Sequence, residues 1–184
     1  MADDTTDTPL KSFADRILPS APEVELDAID TQLLVELSRD ARVPQRKLAE
    51  VLGMSSPAVA DRIARLKAKG VIRGFSVDIN WDVLGHSTVA YLSIDNAVGF
   101  DQKAVFESLL EVRGVEEISL VTGSNDMFVK IRAHGFDDLR YILATKIWTI
   151  PGVQQTETSI VIVRAEPEGI DERMLRAAQS AGDR

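Results

Sequence analysis

The chain contains no cysteine and only two histidines, His86 and His134, among its 184 residues. Disulfides and thiolate metal centres are excluded, and two imidazoles are too few for a structural zinc site of the usual kind. No apolar run approaches the roughly 18 residues that cross a bilayer, and no basic leader precedes an apolar stretch. A soluble, cytoplasmic protein without a membrane partner is expected. No residue pattern marks a reaction centre either. Glu116 and Glu117 are neighbours in a segment that reads as a strand, where consecutive side chains point to opposite faces. His86 and His134 lie far apart in sequence, with no carboxylate pattern around either. Structural or exposed roles are expected for both, with no catalytic residue, no metal and no cofactor.

Apolar content of 45% is ample for cores, and the length allows two small domains. Residues 1–25 read as an acidic tail, in which Leu10, Phe13, Ile17 and Leu18 could form only a short amphipathic helix between Pro9 and Pro19. Residues 26–74 read as three short helices. Asp27 is placed to cap the first, with Asp30 near its N3 position, and Leu26, Ile29, Leu33 and Leu37 recur at helical period with Leu34 beside them. Pro44 suits the first turn of the second helix; Leu48, Val51 and Leu52 supply its apolar side and Gly53 its left-handed stop. After a turn of about three residues, Ser55 or Ser56 caps a third helix whose core side is Val59, Ile63 and Leu66. This is the grammar of a helix-turn-helix.

The outward side of the third helix distinguishes a DNA reader from a plain bundle. Pro57, Ala58, Asp61, Arg65 and Ala68 point away from the core, and the small alanines permit close approach to the floor of the major groove. Arg65 is expected to read a guanine, Ser55 or Ser56 to reach phosphate or base edges, and Arg46, Arg62 and Lys67 to hold phosphates. Residues 39–73 carry nine Lys/Arg against three acids, a local +6 in a chain whose total is −8. Bulk charge repels a polyanion, so only an oriented basic face can bind double-stranded DNA.

Beyond Gly74 the pattern alternates: Phe75, Val77 and Ile79 on one side, Ser76, Asp78 and Asn80 on the other. Residues 75–85 read as a linking strand or wing. Residues 86–164 then read as strand 89–94, helix 101–112, strands 115–122 and 127–133, helix 137–148 and strand 153–163. Each helix leads into its strand through the same step, Arg113-Gly114-Val115 and Pro151-Gly152-Val153. The expected class is therefore α+β, an N-terminal winged helix-turn-helix domain followed by a ferredoxin-like βαββαβ sandwich domain. Leu109, Leu110, Leu139, Leu143 and Ile147 are expected to cover one sheet face, and the apolar residues left on the other to demand a second copy of the chain. The loop Thr122-Gly123-Ser124-Asn125-Asp126 joins the two middle strands. It combines backbone amides, which can receive a carboxylate, with Asp126, which can pair with an ammonium, and so suits a small zwitterion as well as it suits a plain turn. Residues 165–184 read as a tail in which Ile170, Met174, Leu175 and Ala178 mark a short helix.

Together these residues resemble the Lrp/AsnC family, the leucine- and asparagine-responsive transcriptional regulators. The resemblance rests on Leu26-Asp27-Ala28-Ile29-Asp30, Leu52-Gly53-Met54-Ser55, Arg62-Ile63-Ala64-Arg65-Leu66 with Lys69-Gly70-Val71-Ile72-Arg73-Gly74-Phe75, Val121-Thr122-Gly123-Ser124-Asn125-Asp126 and Pro151-Gly152-Val153. It implies DNA binding to two half-sites, a dimer that can grow to an octamer, and an amino-acid effector held between subunits, with Ser159 and Ile160 lining the pocket from a neighbour. The family's loop commonly has an acidic or aromatic residue where this chain has Ser124-Asn125. Haem-precursor (siroheme) decarboxylases resemble the same architecture and form the alternative reading; the basic helix-turn-helix face favours the regulator.

Overall fold

The structure is a computed structural model and describes residues 23–165 and 167–182; the expected N-terminal helix around Leu10–Leu18 lies outside them. The described residues divide into two compact units, one comprising residues 23–78 together with the C-terminal segment from 165, the other residues 79–164.

In the first unit, α1 (Ala28–Arg39), α2 (Gln45–Leu52) and α3 (Ser56–Ala68) pack around Leu33, Leu34, Leu37, Leu48, Ala49, Val59 and Leu66. Asp27 caps α1, its Oδ1 accepting from the Asp30 amide at 2.6 Å. Pro44 stands at the N-cap of α2 rather than inside its first turn, and Gly53 ends α2 in the left-handed region at φ 64°. Two expected core positions are outside: Ile29 and Val51 are exposed, whereas Asp30 and Thr31 are buried. The arc that α1 buries is thus rotated toward α3. The C-terminal segment forms α6 (Ile170–Gly182), which lies on α1; Leu175 joins this core and Glu172 Oε2 accepts from Arg39 Nη2 at 2.6 Å. Residues 73–80 form no strand despite their alternation, and Phe75, Val77 and Ile79 are exposed. Alternation alone cannot make a ladder; an adjacent strand must supply the hydrogen bonds.

The second unit runs β1 (Thr88–Asn96), α4 (Gln102–Leu110), β2 (Val115–Leu120), β3 (Met127–Ala133), α5 (Gly135–Ile142) and β4 (Val153–Ile160). The strands form one antiparallel sheet in the order β2-β3-β1-β4, the ferredoxin-like arrangement. Ala90, Leu92, Ile94, Met127, Val129 and Ile131 meet Val105, Leu109, Leu139, Ile142 and Ile147 in its core. Leu110 is exposed, one residue round the helix from Leu109. The helix expected over 137–148 is α only to Ile142 and widens into a π turn, Leu143–Ile147, where the Thr145 hydroxyl donates to the Tyr141 carbonyl at 2.8 Å. Hydroxyls that bond back to the preceding turn loosen the α ladder. Both repeated returns use a glycine at positive φ, Gly114 (88°) and Gly152 (96°). A Cβ at Gly114 would run into the Arg132 carbonyl oxygen, and one at Gly152 into Val105 Cγ2 at 2.8 Å. These glycines allow each helix to turn back tightly onto the sheet.

The uncovered sheet face is more polar than its alternation suggested. Tyr91 and Phe128 are exposed there, but their ladder neighbours are Ser93, Lys130 and Ser159. At its edge a bulge between Val115 and Glu117 breaks the strict opposition expected of Glu116 and Glu117. Glu116 pairs with both Lys130 (2.9 Å) and the buried Arg132.

Candidate functional site

In α3 the Ser55 hydroxyl caps the helix by accepting from the Ala58 amide at 3.4 Å. Val59 and Leu66 are buried, Ser56 and Ala58 half-buried, and Pro57, Asp61 and Ala68 exposed. The helix therefore presents a narrow, small-residue surface along its outer side, as a groove-reading helix requires. Lys67 lies over the Phe75 ring, its Nζ 4.7 Å from the centroid. Arg46, on α2, is 89% exposed and only loosely paired with Glu50 at 3.8 Å.

Arg62 and Arg65 are differently placed. Arg62 Nη1 donates to Asp27 Oδ2 at 2.7 Å and to Asp30 Oδ1 at 2.6 Å. Arg65 Nη2 donates to Asp30 Oδ1 at 2.8 Å and Oδ2 at 2.7 Å. Burial would raise the Asp27 carboxyl, but hydrogen bonds from Arg62 and the Asp30 amide outweigh it and hold it below the ordinary carboxylate value. The hydrogen bonds that Arg62 donates to the Asp27 carboxylate and then to that of Asp30 raise Arg62 in turn. This network turns α1's first helical turn toward α3, burying Asp30 and leaving Ile29 outside. It also corrects the local charge count. Asp27 and Asp30 lie outside residues 39–73 in sequence yet compensate two of the arginines counted there. Sequence spacing missed them because the pairing spans 32 and 35 residues.

The loop between β2 and β3 is tied to the end of β1. The Asp126 carboxylate accepts from the Asn96 amide at 2.7 Å, and Asn125 Nδ2 donates to Asp95 Oδ1 at 3.1 Å. Thr122, Gly123 and Ser124 remain exposed, with Gly123 at φ 131° and open space where a Cβ would stand. Ser159 and Ile160 pair with Tyr91 and Ala90, whereas the Asp126 amide bonds to the Ile94 carbonyl. Within one chain the loop and these two residues therefore sit at opposite ends of β1, roughly 10 Å or more apart at strand rise.

The fold also brings together residues with no sequence signal. The His86 and His134 rings meet edge to face at 5.5 Å, and Trp81 lies against His86 at 6.0 Å. Below them Arg132 is buried, held by Glu116 and by the His86 carbonyl at 3.1 Å. Among the described residues no three acidic or imidazole side chains converge as a metal site.

The paired carboxylates of both units carry a pH prediction. Burial would raise Glu116, but hydrogen bonds from Arg132 and Lys130 outweigh it; Asp138 is lowered by the His134 amide and by Arg113. With Asp27, these groups titrate lower when folded than their unfolded values near about 4, so their contribution is present above that value and lost as pH falls through the folded values. The melting temperature should be level down to about pH 5 and fall below about pH 4. Glu116→Gln should flatten part of that fall; an unchanged acid slope in this variant would remove Glu116 from the account.

Two family models match the chain: an AsnC-type helix-turn-helix domain over residues 26–67 and an Lrp/AsnC ligand binding domain over residues 90–169. The HTH-type transcriptional regulator FL11 of Pyrococcus abyssi is 34% identical over 139 residues, which cover 76% of this chain and 91% of that protein. Among solved structures, E. coli AsnC superposes with a TM-score of 0.76 at 28% identity, over 80% of this chain and 99% of that one. A feast or famine regulatory protein of M. tuberculosis, solved with L-methionine, superposes with a TM-score of 0.71 at 28% identity, over 78% of this chain and 97% of that one. These matches favour the regulator over the decarboxylase-like alternative.

Proposed function

Because the chain belongs to the Lrp/AsnC family of helix-turn-helix transcriptional regulators, we propose that it is a cytoplasmic, sequence-specific regulator of double-stranded DNA whose activity or assembly responds to an amino acid. The L-methionine complex of the M. tuberculosis relative is the observation that carries the effector class. α3 enters the major groove with Ser55, Ser56, Pro57, Ala58, Asp61 and Arg65 on the DNA side, while Arg46 and Lys67 flank it toward phosphates; Arg62, expected from the sequence to hold a phosphate, is instead held by Asp27 and Asp30 and supports α3 against α1. A homodimer formed through the sheet face that exposes Tyr91 and Phe128, able to grow to an octamer, would address two half-sites about 34 Å apart or a multiple of that.

The effector is held at Thr122, Gly123, Ser124, Asn125 and Asp126, with Ser159 and Ile160 supplied by a neighbouring subunit. That division fits their separation within one chain. Backbone amides at Gly123 suit a carboxylate, and the second oxygen of Asp126 suits an α-ammonium while the first stays on the Asn96 amide. Asp126→Asn keeps an acceptor for that amide but loses the charge. Its melting temperature should stay within a few degrees, whereas the response to amino acids should need roughly ten- to a hundredfold more ligand. Thermal-shift titration with L-methionine and the other amino acids, on wild type and variant, measures both. No shift in the wild type with any amino acid would end the effector assignment and leave DNA binding standing.

A further inference from the structure

A cavity of about 270 Å³ opens at the β2 edge of the sheet unit, walled by Trp81, His86, Gly114, Val115, Glu116 and Arg132. Its apolar side is held in place. The His86 amide donates to the Trp81 carbonyl at 2.9 Å, closing a turn that sets the indole at 88° to the imidazole with ring centroids 6.0 Å apart. Behind that turn the His134 ring fills the space that a Cβ at Gly85 would need, and Arg132 Nη1 donates to the His86 carbonyl at 3.1 Å. Two rings at right angles make a corner for a third flat ring, stacked on one and edge-on to the other. Arg132 supplies the polar end. Its side chain is only 8% exposed, with Nε on Glu116 and Nη1 on His86, yet Nη2 donates to no described residue. A buried guanidinium nitrogen without an acceptor costs free energy that a ligand oxygen would recover.

We propose that this cavity binds a small aromatic carboxylate, whose carboxylate accepts from Arg132 Nη2 and whose ring lies in the corner between Trp81 and His86. The charges around it suit an anion. Both oxygens of Glu116 are already taken, by Arg132 and Lys130, and Asp82, 3.6 Å from Arg132 Nη1, is largely in water, where its charge is screened. Arg113 adds a second guanidinium at the rim and spends only Nη2, on Asp138 at 2.6 Å. Drug-sized ligands fill roughly 300–1,000 Å³, so this volume selects one or two fused rings. The site is distinct from the loop Thr122–Asp126. That loop precedes β3, whereas Arg132 lies near the far end of the strand, roughly 20 Å away at strand rise. No ammonium group is required of the ligand, and the site depends on neither the effector assignment nor DNA binding.

The test uses the full chain. Calorimetric titration with 2-naphthoate should show saturable binding near or below about 1 mM. Arg132→Lys, which keeps a cation but lacks Nη2, should weaken that binding about tenfold or more. Trp81→Leu should weaken it about tenfold by removing one wall of the corner; the Trp81 side chain is exposed enough for this variant to decide the matter where Arg132→Lys folds poorly. In Trp148→Phe, Trp81 is the sole indole of the chain. Phenylacetate should change its fluorescence, and phenylacetamide, with the same ring but no charge, should need about tenfold more to do so. An excess of L-methionine should not displace 2-naphthoate. No saturable heat with 2-naphthoate, wild-type affinity in folded Arg132→Lys or in Trp81→Leu, or an equal response to phenylacetate and phenylacetamide would each overturn the site. Displacement by L-methionine would move the acid to the amino-acid loop and overturn it as well, whereas failure of every amino acid to shift the wild-type melt leaves this site standing.

Discussion

Gly114→Ala is expected to lower the stability of the sheet unit by about 2–5 kcal/mol. Two costs combine. A residue with a Cβ is strained at φ 88°, by about 1–2 kcal/mol, and the new carbon would overlap the Arg132 carbonyl oxygen. That carbonyl is backbone of the central strand β3, and the Arg132 amide is in turn bonded to the Gly114 carbonyl at 2.8 Å. Neither partner can move without breaking the return from α4 into β2. Gly99 separates the two costs, because it has almost the same φ, 87°, with nothing within 4 Å of its would-be Cβ. Gly99→Ala should therefore cost only the strain, about 1–2 kcal/mol. Thermal melting of both variants measures the difference, with each kcal/mol worth roughly 4–8 °C in a unit of this size. Equal losses would mean that overlap with Arg132 contributes nothing.

The second large effect belongs to the DNA-binding unit. Leu66 is 1% exposed and packs with Leu33, Leu48 and Val59 where the three helices meet. Leu66→Ala removes three carbons from that junction and should cost about 2–5 kcal/mol, a large share of the stability of so small a unit. DNA affinity then falls by the fraction of molecules left folded, roughly tenfold or more, although Leu66 does not face the groove side of α3. The sheet unit should keep its own transition. Val51, 50% exposed, provides the comparison: Val51→Ala should stay within about 0.5 kcal/mol despite being an apolar truncation in the same motif. If Leu66→Ala bound DNA at wild-type strength with an unchanged melt, the three-helix core would not be what presents α3.

Much of this architecture was legible in the linear pattern, because local physics wrote it there. Asp27, Gly53 and Ser55 cap and end helices through bonds that reach only three or four residues. The repeated Gly-Val returns at Gly114 and Gly152 announced the two βα halves, since only glycine accepts those dihedrals beside a crowded strand. In the strand Met127–Ala133 every second residue, Met127, Val129, Ile131 and Ala133, is fully buried, which is the period of two that a strand writes into its sequence.

The misread features share one cause, a partner distant in sequence. Phe75, Val77 and Ile79 alternate without a neighbouring strand, so no ladder forms. Ile29 gave way to Asp30 in the α1 interface because two arginines more than thirty residues away claim that carboxylate. The +6 balance of residues 39–73 ignored two compensating acids for the same reason, and the approach of His86 to His134 had no local cue. By itself the sequence determined the helix-turn-helix, the βαββαβ order and the turns between them, where dihedral preference, capping and periodicity act over a few residues. Only the tertiary structure decided which charges remain available on α3, where the Asp126 loop is anchored and which apolar side chains stay in water. Those outcomes depend on which distant groups the chain brings within hydrogen-bonding reach, and burial strengthens such pairings in a way that no local pattern records.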